Sequence, residues 1–339
     1  MLAATVVEFK QPLELRTLPI PEPAADQILV KVMASSLCNS DLAGWMGAVG
    51  ATTPYCAGHE PAGVVVAMGS SVKGFSKGDR VGFMPASWTC LECSECNSGN
   101  HRFCAKKTPV GFRGPYGGFS QYALADPLST VKIPDALSYE TAAPLLCAGV
   151  TAYGALRKIS AVQPGGTFIN IIGCGGVGHL TIMYAKAMGY RVHAYDVDED
   201  KLRLARVSGA DATFNTATAT TTDAAAAESL AQLGATIVTT GAAAAYELAF
   251  RVTGNHGRIV AVGVPKEPIA VRVLDMVKRD ISLIATNQGN KQDLVEALAQ
   301  AAEHGIAGVH ETRRLEQINE GFQELMQGKV AGRLVYKMW

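Results

Sequence analysis

At 339 residues the chain is too long for one small core, so two domains are expected. Hydrophobic residues make up 48% and charged residues 18%, which excludes disordered, collagen-like and coiled-coil classes. Lys+Arg and Asp+Glu each number 30, so there is no global basic field for nucleic acid and no charge run that would act as a tail.

The first residues, MLAATVVEFKQPLEL, lack the basic segment and long apolar run of a signal peptide. No stretch of about 18 uninterrupted apolar residues occurs, so no membrane span is expected and the chain reads as cytoplasmic. In that reducing compartment the eight cysteines suggest metal before disulfides.

Up to about residue 145 the sequence is β-rich and irregular. QILVKVMAS and PAGVVVAMG are dense in Val and bounded by Gly, Pro and Ser, and FSKGDRVGFM continues the pattern through a Gly-Asp turn. Near residue 150 the character changes. TFINIIG suits a buried parallel strand, and VGHLTIMYAKAMG has helical apolar spacing and stops at Gly189. Strand YRVHAYD, helix DEDKLRLARVSGA and a weak strand at DATFN follow. A helix near 223–233, strand ATIVTT, a helix near 243–253 and strand GRIVAVGV come next, and a last helix and strand reach ISLIAT. Such alternation implies α/β architecture, a doubly wound parallel sheet covered on both faces. The Ala/Thr-rich stretch at 216–227 reads as a surface loop and helix start. Beyond about 287, two amphipathic helices and the strand GRLVYKM close the chain. The expected division is 1–145 with 287–339 as one domain and 146–286 as the other.

IIGCGGVGHL carries Gly173, Gly175, Gly176 and Gly178 between an expected strand and an expected helix. In that setting Gly-x-Gly-x-x-Gly is a dinucleotide fingerprint. The first glycine permits the tight turn, the second lets the backbone approach a pyrophosphate, and the third lets helix and strand lie close. The helix N-terminus then faces phosphate charge. Asp196 ends the next strand, where a carboxylate accepts the ribose hydroxyls and repels a 2′-phosphate, favouring NAD over NADP.

CLECSECNSGNHRFC spaces Cys90, Cys93, Cys96 and Cys104 as C-x2-C-x2-C-x7-C. Four thiolates with no spare position suit a closed structural zinc site, with an iron–sulfur cluster as the rival. Cys38, His59 with Glu60, and Cys147 are scattered, and singly each is weak, since buried histidines and cysteines are ordinary core residues. Together two thiolates and an imidazole would make a zinc site with one position open. Cys56 and Cys174 read as core and loop packing.

GHE with the following Gly63, the four-cysteine loop, CAGVTAY, the glycine loop and the terminal GRLV together resemble the zinc-dependent alcohol dehydrogenases of the medium-chain dehydrogenase/reductase superfamily, in the yeast and bacterial ethanol-dehydrogenase branch. The resemblance spans essentially the whole chain. It implies a GroES-like catalytic domain plus a Rossmann cofactor domain, two zinc ions, NAD(H) and a small alcohol, aldehyde or ketone substrate, in a homo-oligomer, a tetramer before a dimer. It implies catalytic zinc on Cys38, His59 and Cys147, Glu60 as neighbour or alternative ligand, Asp41 orienting the histidine, and Ser40 touching the substrate oxygen. Val177, Lys201, Val262 and Arg333 would contact the coenzyme alongside the glycine loop and Asp196. Val49, Pro85 and Ala86 fall where ethanol-selective relatives narrow the pocket with tryptophan, which implies room for substrates bulkier than ethanol. Trp45 and Trp88 lie nearby. The alternatives on the same fold are a zinc-free quinone or enoyl reductase and a non-catalytic dinucleotide-binding sensor.

The segment C-N-S-D-L-A, Cys38 to Ala43, departs from the branch pattern C-H-T-D-L-H. Ala43 replaces the histidine that ends the proton relay. Asn39 replaces a basic contact to the coenzyme pyrophosphate, losing a charge-assisted hydrogen bond. Asn39→His is therefore expected to tighten NADH binding several-fold, measured by fluorescence titration; an unchanged dissociation constant would contradict this.

Overall fold

The structure, a computed structural model, describes residues 1–160, 165–218 and 233–339. The chain forms two compact units, Met1–Cys147 with Asn290–Trp339, and Ala148–Gly289.

In the first unit the strand Ile28–Leu37 organises a seven-stranded sheet. It is buried along nearly its whole length, as its Val- and Ile-rich sequence requires. Antiparallel partners Pro61–Met68 and Tyr122–Ala125 lie against it, and the sheet continues through Arg80–Phe83 to Thr130–Lys132. The C-terminal strand Arg333–Lys337 pairs with the second half of Ile28–Leu37 on the side away from Pro61–Met68, placing Val335 opposite Ser36 and Leu334 opposite Leu37, and pairs in parallel with His310–Arg314. Leu334, Val335, Tyr336 and Met338 are thus core residues of the first unit. Val30, Val65, Phe83, Phe119 and Tyr336 are among its fully buried apolar side chains.

In the second unit six parallel strands run in the order Ala212–Asn215, Arg191–Asp196, Phe168–Ile172, Leu233–Val238, Thr253–Ala261, Ser282–Ala285. The order reverses beside Phe168–Ile172. Ligands of such sheets bind at the carboxyl ends of the strands where the order switches. The helix Gly178–Ala187 starts there, immediately after the glycine loop. The expected helix near 223–233 lies outside the described residues up to 232, as does most of the 216–227 stretch.

Candidate metal centres and coenzyme loop

Cys38 follows the strand Ile28–Leu37 and opens the short helix Asn39–Trp45. His59 and Glu60 immediately precede the strand Pro61–Met68. Cys147 lies in a π-helical turn, Leu145–Gly149, just past Pro144, whose missing N–H weakens the regular ladder. These elements bring the ligand atoms of Cys38, His59, Glu60 and Cys147 within 4.8 Å of one another, all four residues being buried.

The surroundings fix the histidine. His59 Nδ1 lies 2.8 Å from Asp41 Oδ1, and Asp41 Oδ2 accepts the Cys38 backbone N–H at 3.0 Å. One carboxylate thereby ties two members of the cluster together. With Nδ1 donating to Asp41, Nε2 presents its lone pair to the cluster; that atom is buried and has no hydrogen-bond partner. Phe112 lies against the imidazole, ring centres 5.1 Å apart, and keeps water from that face. An orphaned imidazole nitrogen beside two buried thiols is a donor set that fits zinc.

Packing these groups together also displaces each of them from its ordinary protonation range. Burial alone would lower the His59 pKa, but facing Asp41 raises it. Cys147 is held above the ordinary thiol range by its hydrogen bond with Cys38 and by burial, while the same bond holds Cys38 below it. Burial pushes Glu60 up to about 8, against the pull of Arg333. Arg333 Nη2 stands 2.5 Å from both Glu60 oxygens. Sequence reasoning placed Arg333 by the coenzyme and did not foresee this partner.

Cys90, Cys93, Cys96 and Cys104 also bring their sulfurs within 4.8 Å of one another. Cys90 Sγ lies 3.9 Å from Cys96 Sγ and 3.6 Å from Cys104 Sγ. Tetrahedral zinc with Zn–S near 2.3 Å requires sulfurs about 3.8 Å apart. This spacing encloses one ion and is too tight for a multi-iron cluster, which removes the iron–sulfur rival. Backbone N–H groups of Glu92 and Cys93 hold Cys90 down near 6, towards the thiolate that a metal needs. Regular structure inside the lobe amounts to a four-residue helix, Ser94–Asn97, and the 3-10 turn His101–Phe103.

In the second unit Gly173 has φ +92°, which disfavours any side chain. A Cβ on Gly178 would sit 1.8 Å from Gly173 O, so the helix closes on the strand only with glycine there. Gly175 faces open space. Asp196 is held by three backbone N–H groups: Cys174 on Oδ2 at 2.7 Å, and Val197 and Asp198 on Oδ1 at 2.8 and 3.1 Å. Its carboxylate is therefore pre-oriented beside the glycine loop. Lys201 lies 3.9 Å from Asp198 on the following helix, and the Val262 N–H donates to Val238 O. Cys174 is buried with its thiol on Tyr195 O, and Cys56 is buried on Ala57 and Phe119 carbonyls.

Ser40 Oγ lies 3.9 Å from Cys38 Sγ at the edge of the first cluster. Asn39 is exposed and Ala43 half-buried. Val49 is 55% exposed, in a left-handed conformation, and Pro85 and Ala86 are half-buried. Trp45 is tied elsewhere, its indole N–H on Gln11 O at 2.6 Å and its ring against Phe322. Trp88 is also left-handed, and its backbone N–H donates to the buried Asp126 carboxylate at 2.7 Å.

Residues 24–135 match the alcohol dehydrogenase GroES-like domain, and residues 176–304 match the zinc-binding dehydrogenase domain. The chain is 37% identical over 342 residues to an alcohol dehydrogenase of Geobacillus stearothermophilus, covering 100% of both. Among solved structures it resembles the alcohol dehydrogenase of the archaeon Aeropyrum pernix, with 27% identity and TM-score 0.89 over 99% of this chain and 100% of that one. It also resembles acetophenone reductase from Geotrichum candidum in complex with NAD, with 28% identity and TM-score 0.84 over 99% of this chain and 96% of that one. The chain belongs to the zinc-binding alcohol dehydrogenases, with a GroES-like and a Rossmann-type domain.

Proposed function

We infer that the chain is an NAD-dependent alcohol dehydrogenase or carbonyl reductase with two zinc ions, one catalytic and one structural. The observation that carries this is the buried Cys38, His59 and Cys147 set, with Asp41 fixing the imidazole so that Nε2 is left to the metal. Zinc-free reductases have no use for such a set. When bound, zinc polarises the substrate oxygen, and the nicotinamide accepts or donates the hydride. Asp41 keeps His59 in one tautomer and raises its basicity as a ligand. Phe112 excludes water from the histidine face. The Ser40 hydroxyl holds the proton of the substrate oxygen, and with alanine at position 43 that proton passes on without an imidazole there. Asp196 selects the unphosphorylated adenosine ribose. Alcohol-dependent formation of NADH in preference to NADPH is the expected assay result; no turnover of any alcohol or ketone with either coenzyme would overturn the reading.

We take the substrate to be bulkier than ethanol. Val49, Pro85 and Ala86 are smaller than tryptophan, and Trp45 is tied to Gln11 and Phe322. The likeness to an acetophenone reductase supports this. kcat/KM for benzyl alcohol is expected to exceed that for ethanol by about tenfold, since each methylene-sized contact contributes about 1–3 kcal/mol. A preference for ethanol would contradict it.

We place the chain in the cytoplasm, where all eight cysteines, free thiols in the structure, remain reduced. No helix among the described residues is long and apolar enough to cross a membrane. We also infer self-association through the second unit. Val264, Val273, Leu274 and Val277 are 63–85% exposed. Val273, Leu274 and Val277 lie on the helix Val273–Arg279, which leads into Ser282–Ala285, the last strand in the sheet order among the described residues. Exposed apolar side chains on the element that precedes a terminal strand suit a second copy of the chain. Leu274→Glu with Val277→Glu is expected to give a smaller species than the parent by sedimentation; an unchanged size would exclude this surface.

A further inference from the structure

Ser36 is fully buried two residues before Cys38. Its Oγ accepts from Arg333 Nε at 3.1 Å and Nη2 at 2.9 Å. Those two nitrogens form an edge of the guanidinium that a carboxylate can grip two-to-two. Glu60 therefore meets Nη2 alone, 2.5 Å from each of its oxygens. In that pose Glu60 Oε1 lies 3.7 Å from His59 Nε2. Two nitrogen or oxygen ligands of one tetrahedral zinc are about 3.4 Å apart. The carboxylate thus stands close to ligand spacing while still charge-paired.

We propose that Ser36 is a positioning residue for the catalytic metal site: by occupying the Nε/Nη2 edge of Arg333 it keeps Glu60 in one-nitrogen contact, where its carboxylate could join Cys38, His59 and Cys147 as a ligand. The proposal rests on the reading of this cluster as the catalytic zinc site. The three strands that carry the players are fixed by pairing, with Val335 opposite Ser36 and Pro61 opposite Ser35. Backbone drift is therefore a poor route to the same result, and the hydroxyl decides which edge Glu60 meets. Without it the buried Nε–H of Arg333 would lose its acceptor. Arg333 and Glu60 would then close into a two-nitrogen fork, drawing the carboxylate away from His59 and the metal.

The test is chelator competition on the full-length zinc protein, resolving the two zinc ions. Ser36→Ala is expected to weaken the catalytic zinc about tenfold, the scale of outer contacts to a metal site, and to leave the four-cysteine zinc unchanged. Glu60→Gln should give the same loss, and the double variant no more than either alone. Saturating imidazole, which fills the open position and displaces Glu60, should erase the difference between parent and Ser36→Ala. If Ser36→Ala does not fold, Ser36→Cys, whose thiol accepts weakly, should show the same loss. Unaltered affinity in Ser36→Ala, losses that multiply in the double variant, or a difference that imidazole leaves intact would each overturn the proposal alone. A parent protein that binds a single zinc would overturn the two-zinc reading and the proposal with it.

Discussion

Cys147→Ala is expected to bind one zinc per chain instead of two and to lose about a thousandfold or more in kcat. Removing one of three protein ligands abolishes the open zinc site. Lewis-acid stabilisation of the developing oxygen charge amounts to several kcal/mol, and each 1.36 kcal/mol is a factor of ten. The substitution removes a ligand while leaving the histidine fixed: the Asp41–His59 contact at 2.8 Å and the Asp41 bond to the Cys38 N–H remain. NADH should still bind, because the glycine loop and Asp196 belong to the other compact unit. Metal analysis, steady-state kinetics and NADH fluorescence on one preparation check all three. Full activity with one zinc would mean that the cluster does not perform the chemistry.

Cys104→Ser is expected to act on stability more than on chemistry. The 90–104 lobe contains little regular structure, and Leu91 and Phe103 point outward at 57% and 45% exposure. Apolar burial within the lobe is therefore a weak source of order, and the metal must supply it. Structural zinc sites contribute roughly 10–16 kcal/mol of apparent binding free energy in small zinc peptides. Even about a third of that would lower Tm by roughly 10 °C in a unit of this size. The variant should lose one zinc, melt earlier and be cut by protease between residues 90 and 104. An unchanged Tm together with an intact lobe in limited proteolysis would show that zinc is dispensable there.

The parts of the site that were legible in the sequence are those whose chemistry is local. Cys90, Cys93, Cys96 and Cys104 lie within one loop, so their spacing already describes the site. The glycine loop is equally local. The positive φ of Gly173 and the tight approach at Gly178 are properties of one strand–turn–helix unit. Cys38, His59 and Cys147 are separated by tens of residues, and no periodicity joins them. Only the antiparallel pairing of Ile28–Leu37 with Pro61–Met68, and the π turn at Leu145–Gly149, bring them together. Family resemblance was needed to read them.

Partners set by side-chain packing were not legible. Arg333 and Glu60 are 273 residues apart, and nothing in either local sequence announces the pair. Phe112 on His59 and Asp126 under Trp88 were missed for the same reason. Ser36 did carry a signal: on a strand, residue i−2 shares the face of residue i, so a serine two before Cys38 looks towards the same region. Val49 illustrates the opposite difficulty. Spacing from Cys38 aligns it with a pocket position of relatives, whereas its exposure depends on the left-handed turn that the loop adopts.

Zinc held by Cys38, His59 and Cys147 would polarise the substrate oxygen while NAD(H) exchanges the hydride. The most direct measurement is alcohol-dependent NADH formation by protein containing two zinc ions per chain, repeated after selective removal of one zinc by a chelator and again after its restoration. Activity is expected to disappear with the zinc of this cluster and to return with it, while the four-cysteine zinc stays in place throughout. Activity that persists after the zinc of this cluster is gone would contradict that role.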